Sequence, residues 1–80
     1  KLEMRYNNIK TIHLDAFRSF TILEELNIEN NNLENLDGRI FIDLTSLEKL
    51  NLAYNYLNSI RNRTFFHLKK LSTLNLDYNK

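Results

Sequence analysis

The stretch LEKLNLAYNYL, residues 47–57, alternates apolar and polar positions and then becomes rich in turn-forming residues. Leu50 and Leu52 flank Asn51, which is the two-residue periodicity of a strand that buries one face. Polar residues follow this strand before the next apolar residue, Leu57, so the chain turns there. The pattern predicts a short half-buried strand that ends in a tight turn.

The same pattern recurs every 24 residues along the chain. The polar part of the repeat is an asparagine column, formed by Asn7, Asn31, Asn55 and Asn79. Its apolar part includes the columns Leu2/Leu26/Leu50/Leu74, Met4/Ile28/Leu52/Leu76 and Phe17/Phe41/Phe65. Several columns agree in both spacing and residue type, which is the signature of a repeat protein.

Residues 23–33 and 47–57 follow the pattern L-x-x-L-x-L-x-x-N-x-L, and they resemble leucine-rich repeat proteins. The 24-residue period with its phenylalanine column is similar to the typical extracellular class. Toll-like receptors, Slit-like guidance proteins and insect leucine-rich cell-surface and immune proteins belong to that class. The resemblance implies an α/β-type repeat solenoid, a right-handed horseshoe with a parallel sheet on its concave face. Loops and short turns would form the convex face.

The period divides the chain into full repeats 23–46 and 47–70, with partial repeats 1–22 and 71–80. A repeat buries its apolar face only against its neighbours, and about three repeats are the usual minimum for stability. Neither end carries a polar capping sequence. We therefore expect residues 1–80 to be a single leucine-rich segment of a longer array.

Two columns have a predicted structural role. An amide side chain has two donors and an acceptor, so each asparagine of the column can bond to the backbone on both sides of its turn. The alternative is that these asparagines are only exposed turn residues. The phenylalanine column predicts rings stacked inside the wall opposite the sheet. Its core spacing argues against an aromatic ligand cage.

The outward strand positions remain available for binding. One column holds Tyr6, Asn30, Tyr54 and Tyr78, and tyrosine is common at interface hot spots. Tyrosine also suits strand edges, so a purely structural reading stays open. The adjacent outward column is Arg5, Glu29, Ala53 and Asp77, and its acidic members favour a mildly basic partner. The predicted partner-binding residues are Arg5, Tyr6, Glu29, Asn51, Tyr54, Asn75, Asp77 and Tyr78.

Composition argues against several other functions. The net charge is +1 without a basic run, which disfavours nucleic acid and anionic membranes as partners. There is no cysteine, and His13 and His67 fall in different columns two repeats apart, too far for a shared metal. No catalytic triad register or glycine-rich phosphate loop is visible. We expect no enzymatic activity, no cofactor, no metal and no membrane contact by this segment.

The resemblance implies a protein-recognition module of an extracellular protein, either secreted or the ectodomain of a receptor. It would bind a protein ligand or co-receptor on its concave face, in ligand sensing, adhesion or innate immunity. Two alternatives stay open: spacer repeats that bind nothing, and a cytosolic adaptor or regulatory domain. Asn62 begins the N-glycosylation pattern Asn62-Arg63-Thr64, but one such match is expected by chance in so asparagine-rich a chain.

Overall fold

In a computed structural model, which describes residues 1–58, 60–61 and 63–80, four short parallel strands form one sheet. The strands are β1 (Leu2–Glu3), β2 (Glu25–Asn27), β3 (Lys49–Asn51) and β4 (Thr73–Asn75). Their spatial order is their order along the chain. Each strand pairs with the residue 24 positions on, as in Leu26 with Leu50 and Leu50 with Leu74. The predicted parallel sheet and its register are confirmed.

Each strand is connected to the next by a crossover built from successive tight turns. Backbone N–H groups bond to carbonyls three residues earlier at the same places in each repeat, and the donors include Ala16, Ile40 and Thr64. In the second repeat these turns form a short 3₁₀ helix, Gly38–Phe41, with Asp37 accepting the Arg39 N–H as its N-cap. Among the described residues no α-helix occurs, and none of their helices has the length and apolar character to cross a membrane.

The core lies between the sheet and the crossovers, as the repeat predicts. Its buried side chains are Phe17, Leu26, Ile28, Leu33, Ile40, Phe41, Leu44, Leu47, Leu50, Leu52, Leu57 and Leu68. Burial is deepest in the middle of the segment, where each repeat is covered on both sides. Leu74 belongs to the same column as Leu50 but remains partly exposed, because β4 has one neighbouring strand and β3 has two.

The predicted phenylalanine stack is only partly correct. Phe41 and Phe65 do meet, with ring centroids 5.9 Å apart and planes tilted by 34°. The ring of Phe17 instead lies against Phe20, at 6.3 Å. Phe20 occupies a position that is leucine in the later repeats, so the first repeat supplies its own aromatic neighbour.

Gly38 marks the closest approach of two successive crossovers. A Cβ at this position would lie 3.0 Å from the carbonyl oxygens of both Arg63 and Thr64, and 3.2 Å from the Thr64 Cα. All three are backbone atoms, so a whole segment of the next repeat would have to move. The absence of a side chain at Gly38 therefore sets the spacing between these crossovers.

We expect Gly38→Ala to lower the free energy of unfolding by about 1–2 kcal/mol. Overpacking costs roughly 1–3 kcal/mol, and the entropy that alanine removes from the unfolded chain returns only about 0.4–1 kcal/mol. Urea denaturation followed by circular dichroism measures the difference. Asn35→Ala, an exposed change in the same crossover, should be nearly neutral. A Gly38→Ala protein as stable as the parent would refute the close approach.

Candidate functional site

The predicted tyrosine column lies just beyond the strands. Strands β1 to β4 end at Glu3, Asn27, Asn51 and Asn75, three residues before the column formed by Tyr6, Asn30, Tyr54 and Tyr78. We call these four positions the tyrosine strip. All four have left-handed backbone, with φ between 56° and 59°. The interpretation of these tyrosines as strand-edge residues is therefore wrong, because strand residues have negative φ.

Left-handed backbone makes tyrosine an unexpected residue in this strip. This region costs L-amino acids roughly 1–2 kcal/mol, and asparagine is among the few residues that visit it routinely. Asn30 fits that preference, whereas three of the four positions carry tyrosine instead. The backbone is held there by the fold, because the Tyr54 N–H donates to the carbonyl of Asp77 on the next repeat at 2.9 Å.

The tyrosines form a partly exposed aromatic surface. The rings of Tyr54 and Tyr78 stack nearly parallel, with centroids 4.4 Å apart and planes 11° apart. Tyr54 is 47% exposed and Tyr78 is 70% exposed, so much of their area stays open to solvent. Tyr6 lies two repeats away from Tyr54, and the guanidinium of Arg5 sits 5.6 Å from its ring centroid.

Two carboxylates accompany the tyrosine strip without a cation of their own. Glu29 is half-buried and Asp77 is exposed, and no described lysine, arginine or histidine forms an ion pair with either. Arg5 is already paired with Glu3, at 3.4 Å between Nε and Oε1. The surface next to the stacked tyrosines is therefore locally acidic.

Ala53, which the sequence places in the outward column with Glu29 and Asp77, is buried. It is only 1% exposed, so it offers no binding surface. Its methyl group is far shorter than the side chains 24 residues before and after it, which project past it. The binding surface is therefore discontinuous at this position.

The outward asparagines of the strands are engaged in local bonds. The Oδ1 atom of Asn51 accepts the backbone N–H of Ala53 at 3.0 Å, and that of Asn75 accepts the N–H of Asp77 at 2.9 Å. This turn geometry is typical of asparagine. The Asn51 amide also donates to Oε1 of Glu29 at 3.0 Å. Both asparagines thus hold the ends of their strands in shape beside the tyrosine strip.

The asparagine column forms a continuous set of hydrogen bonds beneath the strip. Asn55 is buried, and its Nδ2 donates to the carbonyls of Ile28, Leu52 and Ala53 at 3.0–3.3 Å. Its Oδ1 accepts the backbone N–H of Leu33 at 3.1 Å. Asn31 and Asn79 repeat this arrangement one repeat before and one repeat after.

Asn7 has a smaller set of bonds than the other members of its column. It is exposed, and its Nδ2 donates only within its own turn, to the carbonyls of Met4 and Arg5. The other three asparagines each reach a strand of the preceding repeat. They therefore tie neighbouring repeats together and fix the turns that carry the tyrosines.

The sequence model of the Leucine rich repeat family matches residues 21–80, which is 60 of the 80 residues. The chain belongs to the leucine-rich repeat family. Repeats of this family generally act in protein–protein recognition, and the family is not typically enzymatic. Comparison with curated proteins gives no match. Among the described residues of this leucine-rich repeat segment, no group of three or more histidine, cysteine, aspartate or glutamate side chains could hold a metal ion.

A groove of about 510 Å³ between two crossovers of the leucine-rich repeats has the opposite charge from the strip. Arg39, Arg61 and Arg63 line it together with Asp37. The Arg39 side chain and backbone N–H bond to Asp37 and lower the pKa of that carboxyl to about 2. Sequence reasoning missed this groove, because its arginines lie in different repeats. Asn62, the possible glycosylation position, lies outside the described residues.

The pKa of Tyr54 is raised above its ordinary value. Loss of solvation is the largest cause, followed by the charge of ionised Tyr78, a hydrogen bond with Tyr78, and the charges of Glu29 and Asp77. Native Tyr54 thus keeps its proton to higher pH than unfolded Tyr54. This contribution to stability is fully present below about pH 10 and is lost as the pH rises through the folded-state pKa.

In an alkaline titration followed by tyrosinate absorbance, we expect Tyr54 to ionise at higher pH in the parent protein than in a Tyr78→Asn variant. The variant removes the neighbouring phenol, and asparagine suits the left-handed backbone of the strip. Tyr56→Asn, which removes a tyrosine outside the strip, should leave the Tyr54 midpoint unchanged. An identical Tyr54 midpoint with and without Tyr78 would contradict the stacked arrangement.

Proposed function

We propose that this leucine-rich repeat segment recognises a protein partner through the tyrosine strip and the acidic residues beside it. The observation that carries the proposal is the left-handed backbone of Tyr6, Tyr54 and Tyr78. Asparagine would fit those positions with less strain, as Asn30 does in the same strip. Residues kept in such conformations cluster at binding sites, where the strain is offset by the rest of the fold.

Side-chain chemistry supports a protein as the partner. Tyrosine gives a large rigid contact area and a hydroxyl group at low entropic cost, which is why it is frequent in interfaces. Arg5, Tyr6, Glu29, Tyr54, Asp77 and Tyr78 form the proposed contact surface. Asn51 and Asn75 act in this proposal by holding the turns, since their oxygens already accept backbone N–H groups.

The wider setting of the proposal comes from the resemblance to the 24-residue extracellular class. In this proposal the segment is part of a right-handed horseshoe with the sheet on its concave face, in a secreted protein or a receptor ectodomain. Ligand sensing, adhesion and innate immunity are the processes in which such a surface would act. Antibody labelling of an epitope-tagged full-length protein on intact, unpermeabilised cells or in the medium tests the location.

The test of recognition begins with a screen of the full-length protein against an array of purified protein ectodomains. For the partner found, Tyr54→Asn and Tyr78→Asn should each raise the Kd by on the order of 10-fold. Both variants should remain as stable as the parent, because asparagine relieves the left-handed strain.

Tyr56→Asn is the matched control for this experiment. Tyr56 is 50% exposed but lies outside the strip, with its ring near the Lys80 ammonium. Its replacement should leave the Kd unchanged. Unaltered affinity in Tyr54→Asn and Tyr78→Asn would overturn the proposed site and favour the spacer interpretation of these repeats.

A further inference from the structure

Glu29 is a carboxylate held in place by neutral donors. Its Oε1 accepts the Nδ2 of Asn51 at 3.0 Å, and its Oε2 lies 3.5 Å from the Nδ2 of Asn30. These amides orient the carboxylate but leave its negative charge uncompensated. Two other glutamates on this sheet do have cationic neighbours, because Glu3 pairs with Arg5 and Glu25 pairs with Lys49.

Asn30 opens a gap in the tyrosine strip directly beside Glu29. Because the Tyr54 ring is nearly parallel to the Tyr78 ring, one of its faces is covered and the other is turned toward the Asn30 position. Tyr6 lies two strand spacings from Tyr54, which is roughly 10 Å. An aromatic contact needs about 3.5–4.0 Å, so the gap can hold one flat group against the Tyr54 ring.

The first repeat already contains the combination of groups that this gap would complete. There the Arg5 guanidinium lies over the Tyr6 ring, at 5.6 Å from its centroid, and pairs with the Glu3 carboxylate. At the Arg5 position of the third repeat stands Ala53, which has no charge and is buried. The Tyr54 ring and the Glu29 carboxylate therefore lack the guanidinium that the first repeat supplies from its own chain.

We propose that the gap over Asn30 binds an arginine side chain of the protein partner. The planar guanidinium would stack on the open face of Tyr54 and donate hydrogen bonds to Glu29. Arginine suits this site better than lysine, because it stacks on aromatic rings and pairs with carboxylates through two parallel bonds. This inference rests on the proposed function, since the arginine belongs to the partner that the tyrosine strip recognises.

An NMR titration of the whole protein with capped tripeptides tests the chemistry without the natural partner. The probe is acetyl-Gly-Arg-Gly-amide, and its neutral analogue carries citrulline in place of arginine. The arginine peptide should shift the Tyr54 ring signals and the Glu29 and Asn30 amides in a saturable way, with a Kd on the order of millimolar. The lysine peptide should bind several-fold more weakly, and the citrulline peptide should cause no saturable shift.

Three variants locate the binding at the gap. Glu29→Gln keeps an oxygen that can accept the Asn51 donor but removes the charge, so the arginine peptide should bind at least about 10-fold more weakly. Asn30→Tyr fills the gap with a residue that the strip accommodates elsewhere, and it should abolish the shifts. Asp77→Asn removes a carboxylate outside the gap and should change the Kd less than about twofold. Equal binding of the citrulline peptide, or an unchanged Kd in Glu29→Gln, would overturn the proposal.

The results also separate this inference from the proposed function. If the arginine peptide fails to bind while Tyr54→Asn still weakens the partner complex, the arginine site is wrong and protein recognition by the strip stands. If the arginine peptide binds at the gap while Tyr54→Asn and Tyr78→Asn leave the partner complex intact, the strip is not the recognition surface.

Discussion

Replacing Phe41 with alanine is expected to lower the free energy of unfolding by about 3–5 kcal/mol. Phe41 ends the 3₁₀ helix of the second repeat and has no solvent-exposed surface. Its ring lies against Phe65 of the next repeat, so the substitution leaves a cavity that spans two repeats. The loss combines the transfer free energy of a phenyl ring with incomplete collapse of the surroundings.

Phe66→Ala is the matched control for Phe41→Ala. Phe66 follows Phe65 directly, but its ring is 58% exposed and lies beneath the Lys69 ammonium. Truncating it should cost less than about 1 kcal/mol, the value of an exposed cation–aromatic contact. Urea denaturation of both variants at equal m-value gives the comparison. Similar losses in the two variants would show that the phenylalanine column does not carry the core.

The sheet register was accessible from the sequence because it depends on the repeat length alone. A 24-residue period places Leu26 opposite Leu50, and in the structure they are register partners. A parallel strand repeats its pairing as long as each crossover has the same number of residues. The buried columns follow from the same period, since equivalent side chains must fill equivalent space in each repeat.

The backbone conformation of the tyrosine strip was not accessible from periodicity. A repeat places Tyr6, Tyr54 and Tyr78 in one column but does not specify φ. Two signals were present: an asparagine at the fourth position of the column, and an asparagine following each member. Asparagine is the non-glycine residue that most readily enters left-handed turns, so Asn30 could have marked the whole column as such a turn.

The outward strand columns were harder to interpret, because an exposed position is not the same as a free one. Asn51 and Asn75 face outward, yet their oxygens accept backbone N–H groups two residues later. Ala53 faces the same way and is buried beneath longer neighbours. Such outcomes depend on side-chain lengths in adjacent repeats, which a search for columns does not weigh.

Asn55→Ala is expected to lower the free energy of unfolding by about 2–3 kcal/mol. The buried N–H of Leu33 loses the oxygen that accepts it, and an unsatisfied buried polar group costs about 1–3 kcal/mol. The carbonyls of Ile28 and Leu52 suffer less. Each also accepts from a neighbouring asparagine of the column, Asn31 for Ile28 and Asn79 for Leu52. The small void left by the amide adds to the loss.

Asn7→Ala provides the control within the same column. Asn7 is exposed and bonds only to carbonyls of its own turn, so water can replace its amide at a cost below about 1 kcal/mol. Urea denaturation measures both losses. Equal losses at Asn7 and Asn55 would mean that the column acts turn by turn and does not join the repeats.

Asn55→Asp separates the donor role of this amide from its acceptor role. The aspartate keeps an oxygen for the Leu33 N–H, but it points a second oxygen at the carbonyls of Ile28, Leu52 and Ala53. At neutral pH we expect a loss at least as large as that of Asn55→Ala, because a buried charge then faces three carbonyls. The folded-state pKa of this carboxyl would be raised, so the variant should lose less stability relative to the parent as the pH falls toward the ordinary aspartate pKa. A variant as stable as the parent at neutral pH would show that the three amide bonds contribute nothing, whereas a loss that shrinks on acidification would assign the joining of repeats to the donors of Asn55.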